Sequence, residues 1–403
     1  MNLKTTSAAL ALTALLAACS AVRSSPDSYE GAVYAQTNET VNTIVAFGRK
    51  TDGTLVKLNT YATGGAGTAG KLVPLLEKVV VDPFFSNDSL IISPDHKLLF
   101  AVNTGDGTVT SFKVNADKTL TRVDRAPSGG KLPQSLGYNG DGLLYVSNVN
   151  NPKNVLNPNG DKRASISGLR VDASGKLTPI PNSTRELSTD ATQPGHVTFS
   201  PNGKQLLVIE LFAKTISVYP TNADGTLGTP MLNSVPVDAF GSDFIGNNTL
   251  ITVDVTPFNP GNGTASSFTL NDDGSLTPLT VGVRNGKIEP CWVSITPDGK
   301  FAFTSNLDTG TISSYRLDQG KLSLLNADAA FKPAEGAKSA IDYVTSGPVD
   351  TFITPDGKYL YQQYSGRGSV VAYQIGADGS LKEVGEYGRG DIMKIGSEGL
   401  DGF

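Results

Sequence analysis

One repeated phrase constrains this chain more than any other feature in it. A β-rich run meets a Pro-Asp-Gly type turn, then come a second run, a polar turn, a third run ending in an aromatic residue, and Asp-Gly-Thr-Leu or a near variant. The clearest copies run from Ser93-Pro94-Asp95-His96-Lys97 to Phe112, Ser200-Pro201-Asn202-Gly203-Lys204 to Tyr219, Thr296-Pro297-Asp298-Gly299-Lys300 to Tyr315, and Thr354-Pro355-Asp356-Gly357-Lys358 to Tyr373. Weaker copies lie at Asn139 to Leu169 and Asn247 to Phe268, with an incomplete one at Ala32 to Phe47. Runs such as Phe301-Ala302-Phe303-Thr304-Ser305 alternate with period two, the pattern of a strand and not of a helix. The closing turns, from Asp52-Gly53 to Asp378-Gly379, recur about 54 residues apart, which makes seven units of roughly four strands each.

A four-stranded sheet cannot bury both of its faces alone, so such units must stack, and a ring of them leaves no end face exposed. The expectation is an all-β fold, a seven-bladed β-propeller in a single domain over residues 31–403. The first copy has no inner strand before Ala32, while residues Asp391 to Phe403 remain after the last complete unit. The C-terminal tail, near Ser397-Glu398-Gly399-Leu400, is therefore expected to supply that strand and close the ring. Two insertions, Ala62 to Val81 and Asn150 to Ala164, read as loops on the body and not as linkers.

The first residues read as an address. Lys4 precedes the apolar run Ala8 to Leu16, which is too short to span a bilayer, so residues 1–18 are expected to be an export signal. Leu16-Ala17-Ala18-Cys19 resembles the bacterial lipobox, which implies lipidation of Cys19, a flexible tether over residues 19–30, and a membrane contact through the lipid alone. A secreted glycoprotein is the competing context, because Asn38, Asn87, Asn182, Asn247 and Asn262 each open an Asn-x-Ser/Thr triplet. Both contexts lie outside the cytoplasm. With Cys19 consumed, Cys291 has no partner within the chain and is expected to be a buried thiol.

The phrases Ser93-Pro94-Asp95, Asp224-Gly225-Thr226-Leu227 and Pro290-Cys291-Trp292-Val293-Ser294-Ile295-Thr296-Pro297-Asp298-Gly299-Lys300 resemble the seven-bladed lactonase-type propellers, which include 6-phosphogluconolactonase and 3-carboxymuconate lactonizing enzymes. The resemblance spans nearly the whole chain after Glu30. It implies a pore-mouth site with a His on an inner strand, an Arg within Gly-Pro-Arg-His, a Glu ending a second strand and a second Arg. Aligned by phrase, Gln193-Pro194-Gly195-His196 replaces that Arg with Gly195 and keeps His196 and Glu210. Aligned by blade order, His196 takes the place of the other His, and Asp254 that of the Glu. In either alignment Leu307 stands where the second Arg is expected, so the anion-binding half of the family site is missing and a phosphorylated substrate is disfavoured.

Counting along the repeats puts a polar ring at the ends of the second strands: Asn38, Asn103, Asn148, Glu210, Asp254, Asn306 and Tyr364. The Asn side chains suit hydrogen bonds that cap the turn into the third strand. Glu210 and Asp254 each follow an apolar run, and paired carboxylates at a concave mouth would poise a general base, with His196 as proton donor or oxyanion partner. Asn148, Asn306, Gln134 and Trp292 are the candidate ligand contacts, with core packing the competing role for Trp292. Glu210, Asp254 and His196 offer ligands for Ca²⁺, though no Asp-rich loop accompanies them; no other cofactor or metal is expected. His96 replaces Gly in an exposed turn and has no expected role.

The exclusions are firm. Net charge is −5 with no basic cluster, which disfavours nucleic acid, and 2 Cys with 2 His exclude a Cys-based zinc site or a disulfide framework. No Gly-x-Ser-x-Gly, P-loop or His-Glu-x-x-His phrase occurs, so nothing local marks a serine hydrolase, a nucleotide enzyme or a zinc protease. Two functions fit: an exported lactonase-like enzyme taking a neutral or sugar-derived lactone, or a tethered, non-catalytic propeller binding a protein or glycan. A monomer is expected in either case.

Overall fold

The computed structural model describes residues 29–73, 77–150, 163–189, 192–255 and 261–403. Within them the chain forms seven antiparallel sheets and no helix. Six sheets have four strands; the third has an extra short one, Arg185–Glu186, paired beside Leu177–Pro179 on Ser165–Val171. The inner strands of blades two to seven are Leu90–Ile92, Pro133–Tyr138, Gln193–Phe199, Ala239–Ile245, Pro290–Ile295 and Pro348–Ile353. In blade one the inner strand is Leu400–Gly402, which pairs antiparallel with Gly31–Gln36 in the register Val33 with Gly402 and Ala35 with Leu400. The tail thus closes the ring, as the missing first strand implied.

The repeated phrase recurs because each copy makes the same two turns. In the first, the hydroxyl of Thr296 donates to Asp298 (2.7 Å), Asp298 accepts the Lys300 N–H (3.1 Å), and Gly299 takes φ +69°. Ser93 with Asp95, Ser200 with Asn202 and Thr354 with Asp356 repeat the hydroxyl contact. At the closing turn Asp224 accepts both the N–H and the hydroxyl of Thr226, with Gly225 at φ +81°. These closing turns dock on the preceding blade: Tyr34 donates to the Lys118 carbonyl, Tyr145 to that of Gly225, and Tyr361 to that of Gly53.

Second strands are buried on both faces, as in Leu98–Asn103 and Phe301–Asn306, whereas outer strands such as Leu120–Pro127 are mostly exposed, with only Leu120 and Ala126 buried. A second strand lies between neighbouring blades; an outer strand has water on one side. Seven apolar clusters fill the gaps between blades. An eighth, around Val81, Phe240, Cys291, Trp292 and Leu307, lies beneath one mouth of the ring. Cys291 is a buried free thiol whose pKa burial pushes well up.

The export signal and Cys19 lie outside the described residues. Of the Asn-x-Ser/Thr triplets, Asn38 and Asn87 are buried and Asn182 and Asn247 exposed. His96, at φ +58°, stacks on Phe403 of the closing tail, 4.5 Å between ring centres.

Candidate functional site

The connection after the first blade crosses the axis and plugs the mouth where the inner strands begin. Its core, Asp82-Pro83-Phe84-Phe85-Ser86-Asn87-Asp88, is fixed from several sides. The Gln134 amide donates to the Phe84 carbonyl, and Gln193 reaches the same oxygen (3.4 Å) while donating to Gln134 (2.6 Å). The Phe84 N–H meets Glu398 (3.1 Å), and the Asn87 N–H meets the Gly195 carbonyl (2.7 Å). Phe84 is fully buried, and Phe85 packs against Phe212 and Phe240. Gln134, a candidate ligand contact, therefore grips the chain's own backbone.

Below the plug the inner strands surround a shaft. Exposure grows toward their far ends, with Tyr138, Asp243 to Ile245, Ile353 and Asp401 part-exposed, so the shaft opens at the face away from the plug. At its floor, His196 Nε2 lies 2.8 Å from Asp88 Oδ2 and Nδ1 lies 2.9 Å from Ser242 Oγ. The imidazole is buried, while the Asp88 side chain is 44% exposed. Each partner is re-aimed by irregular backbone: ladder shifts fall between Pro194 and His196 and between Ala239 and Ser242, and Asp88 takes φ +60°.

The shaft walls are acidic. Apart from His196, the ionisable residues of the seven inner strands other than Cys291 and Tyr138 are Asp243, Asp350 and Asp401, with no Lys or Arg. Desolvation pushes Asp243 and Asp401 to about 7 and Asp350 to about 8, and Asp88 nearby adds to all three. Each also staples blades together by accepting a backbone N–H: Asp243 from Ile295, Asp350 from Gly399, Asp401 from Ile92.

The second-strand ring does other work. Glu210 accepts the Ser188 N–H and hydroxyl at Oε2 (2.9 and 2.6 Å) and the Ser217 hydroxyl at Oε1 (2.5 Å). Asp254 accepts hydroxyls from Thr252, Thr264 and Ser266, and desolvation raises it to about 7. Asn148 binds Ser128 and Ser167; Asn306 binds Asn285, Thr311 and Ser313; Tyr364 meets Tyr373. Ser128, Ser188 and Asn285 each follow the outer strand of the preceding blade, so the ring ties blade to blade. Glu210, Asp254 and His196 share no hydrogen bond, because each is met by hydroxyls or a carboxylate of its own surroundings. Trp292 is buried edge-on against Phe240, with ring centres 6.2 Å apart, as a wedge. Among the described residues no three His, Cys, Asp or Glu groups are placed to hold a metal ion.

Replacing Glu210 by Ala strands the Ser188 and Ser217 donors. A loss of about 1–3 kcal/mol is expected, read as a lower midpoint in chemical denaturation.

Comparison with known proteins agrees with the ring. Residues 28–156 and 246–391 match the family described as "Lactonase, 7-bladed beta-propeller", and the chain belongs to that family. A 6-phosphogluconolactonase of Serratia proteamaculans is 25% identical over 281 residues, 59% of this chain and 83% of that protein. Among solved structures, the periplasmic gluconolactonase of Pseudomonas aeruginosa superposes with TM-score 0.66 at 16% identity, covering 92% of this chain and 98% of that one. A putative 6-phosphogluconolactonase of Bacteroides fragilis gives 0.65 at 19% identity, covering 94% and 99%. At these identities the superpositions speak to the fold.

The sequence reading missed Asp88 and Ser242. The available signal was their position: Asp88 lies two residues before an inner strand, and Ser242 is the fourth residue of one, as His196 is.

Proposed function

We propose that this protein is an extracytoplasmic lactone hydrolase acting on a neutral or sugar-derived lactone, with the His196–Asp88 pair at the shaft floor as its acid–base unit. The observation that carries this reading is a buried imidazole held by a half-exposed carboxylate, in a member of the lactonase family. Ester-ring opening needs a proton removed from the attacking oxygen and one returned to the ring oxygen, and one imidazole can do both in turn.

Substrate charge follows from the walls. Gly195 and Leu307 occupy the places where the family resemblance expects arginines, Leu307 is buried among apolar side chains, and the inner strands carry acids without a cation. A phosphate would find no lysine or arginine on these strands to pair with. Export rests on the apolar run ending at Leu16 and on Cys19 as the lipid attachment point, and the periplasmic gluconolactonase of similar fold supports it.

The test is acid release from a panel of neutral and phosphorylated aldonolactones by the purified mature protein, with and without Ca²⁺. Neutral lactones are expected to be opened, at rates indifferent to Ca²⁺, and His196→Ala to lower kcat/KM by roughly 10²-fold or more. A folded His196→Ala protein that opens them at the parent rate refutes the assignment.

A further inference from the structure

We infer that Ser242 is a covalent nucleophile, activated by His196 and oriented through Asp88, so that the shaft floor is a serine-hydrolase centre assembled without any serine-hydrolase sequence phrase. The inference deepens the lactone-hydrolase reading and rests on it for the identity of the acyl group.

The imidazole's two nitrogens face different partners. Asp88 Oδ2 faces Nε2 at 2.8 Å, and a carboxylate accepts only, so the ring proton sits on Nε2. Nδ1 then carries a lone pair, and the group facing it at 2.9 Å is the Ser242 hydroxyl, which donates to it. With both nitrogens occupied, the hydroxyl that this imidazole can deprotonate as built is that of Ser242. Nucleophile to base to orienting carboxylate is the arrangement that activates serine on unrelated folds, and it is recognised by geometry, not by chain order. Here the ring nitrogens exchange roles relative to the usual case.

A second observation lies beside it. Asn87, next to Asp88 in the plug, is buried, and its Nδ2 has no acceptor. The Cys291 carbonyl and the Asn87 carboxamide oxygen stand where a side chain on residue 241 would be, one residue before Ser242, so only Gly241 fits there. That unspent amide donor, one residue from Asp88, is the group we assign to a developing oxyanion.

The chemistry balances. Ser242 Oγ attacks the lactone carbonyl carbon as its proton passes to Nδ1; the tetrahedral intermediate collapses by breaking the ring C–O bond, and the departing oxygen takes the proton from Nδ1. The acid and its new hydroxyl stay in one piece as an ester on Ser242, so the adduct adds the full mass of the lactone. Water then gives a proton to Nδ1 and attacks the ester carbon, and Ser242 leaves with that proton.

The experiment is intact-mass and peptide mass spectrometry of the full mature protein, acid-quenched during turnover of a neutral lactone and, separately, after exposure to a fluorophosphonate probe. An adduct on Ser242 is expected in both arms, absent in Ser242→Ala and in His196→Ala, with hydrolysis reduced at least 100-fold in Ser242→Ala. In Ser242→Cys the lactone adduct becomes a hydroxylamine-labile thioester, a readout that a merely structural serine would not give. Lactone turnover that persists in Ser242→Ala with no adduct overturns the inference while leaving the hydrolase reading intact. Probe labelling of Ser242 in a protein that opens no lactone keeps the nucleophile and removes the proposed substrate. No labelling in either arm overturns the nucleophile.

Discussion

A chain ending at residue 391 is expected not to melt as a cooperative unit. The missing segment carries Ile392, Leu400 and Phe403, all buried, each contributing about 1.5–3 kcal/mol by area alone. It also carries the ladder to Gly31–Gln36, the Phe403 carbonyl held by Arg49 (3.0 Å), and the carboxyls of Glu398 and Asp401 that anchor the plug and the second blade. Together these approach the whole stability of an ordinary domain, about 5–15 kcal/mol. Circular dichroism against temperature, with a hydrophobic dye to report exposed core, decides it. A truncated protein with the parent midpoint would mean that the ring closes by some other contact.

Raising the pH from 5 to 9 is expected to lower the thermal midpoint by several degrees. Around the plug, Asp82, Glu289, Asp308 and Glu398 lie within electrostatic reach, joined by Asp350. Among the described residues none forms a salt bridge. Desolvation raises Asp82 to about 7, Glu289 to about 8 and Asp308 to about 6, and drives Glu398 well above its usual value. These groups bind protons more tightly folded than unfolded, so stability falls with pH from near 4, where the unfolded chain ionises, until the folded groups have ionised near 8. Each unit of elevation costs about 1.4 kcal/mol once the group is charged, and mutual coupling makes the total smaller than the sum. Exposed Glu335, lowered to about 2 by hydrogen bonds from Arg389 and Lys394, works the other way and loses its small contribution as pH drops below about 4. The double variant Asp82→Asn, Glu398→Gln is expected to flatten the decline and to be the more stable form at pH 9. A parent midpoint that climbs between pH 5 and 9 contradicts the cluster's role.

The ring was legible because its determinants are local. Ser/Thr-Pro-Asp-Gly and Asp-Gly-Thr phrases close their hydrogen bonds within two to five residues, so the pattern is visible wherever it recurs. Even the absent first strand could be read, as a gap with a tail to fill it. The shaft floor was not legible, because His196 finds Ser242 46 positions later and Asp88 108 positions earlier, in a crossing loop that belongs to no repeat. Glu210 and Asp254 were half legible for a related reason. Their place at the ends of buried strands was right, but the hydroxyls that satisfy them, Ser217, Thr264 and Ser266, open the following strand and were not set against them.

The plug has a consequence for traffic. With Phe84 sealing one end, the shaft has a single doorway, so a molecule arriving and one departing must use the same passage in turn. Under the proposed hydrolysis the opened acid is newly anionic beside Asp88, and above about pH 7, where Asp243 and Asp401 ionise, like charge pushes it out through the face that admitted its uncharged precursor. Repulsion of like charge thus gives a blind corridor its direction of flow.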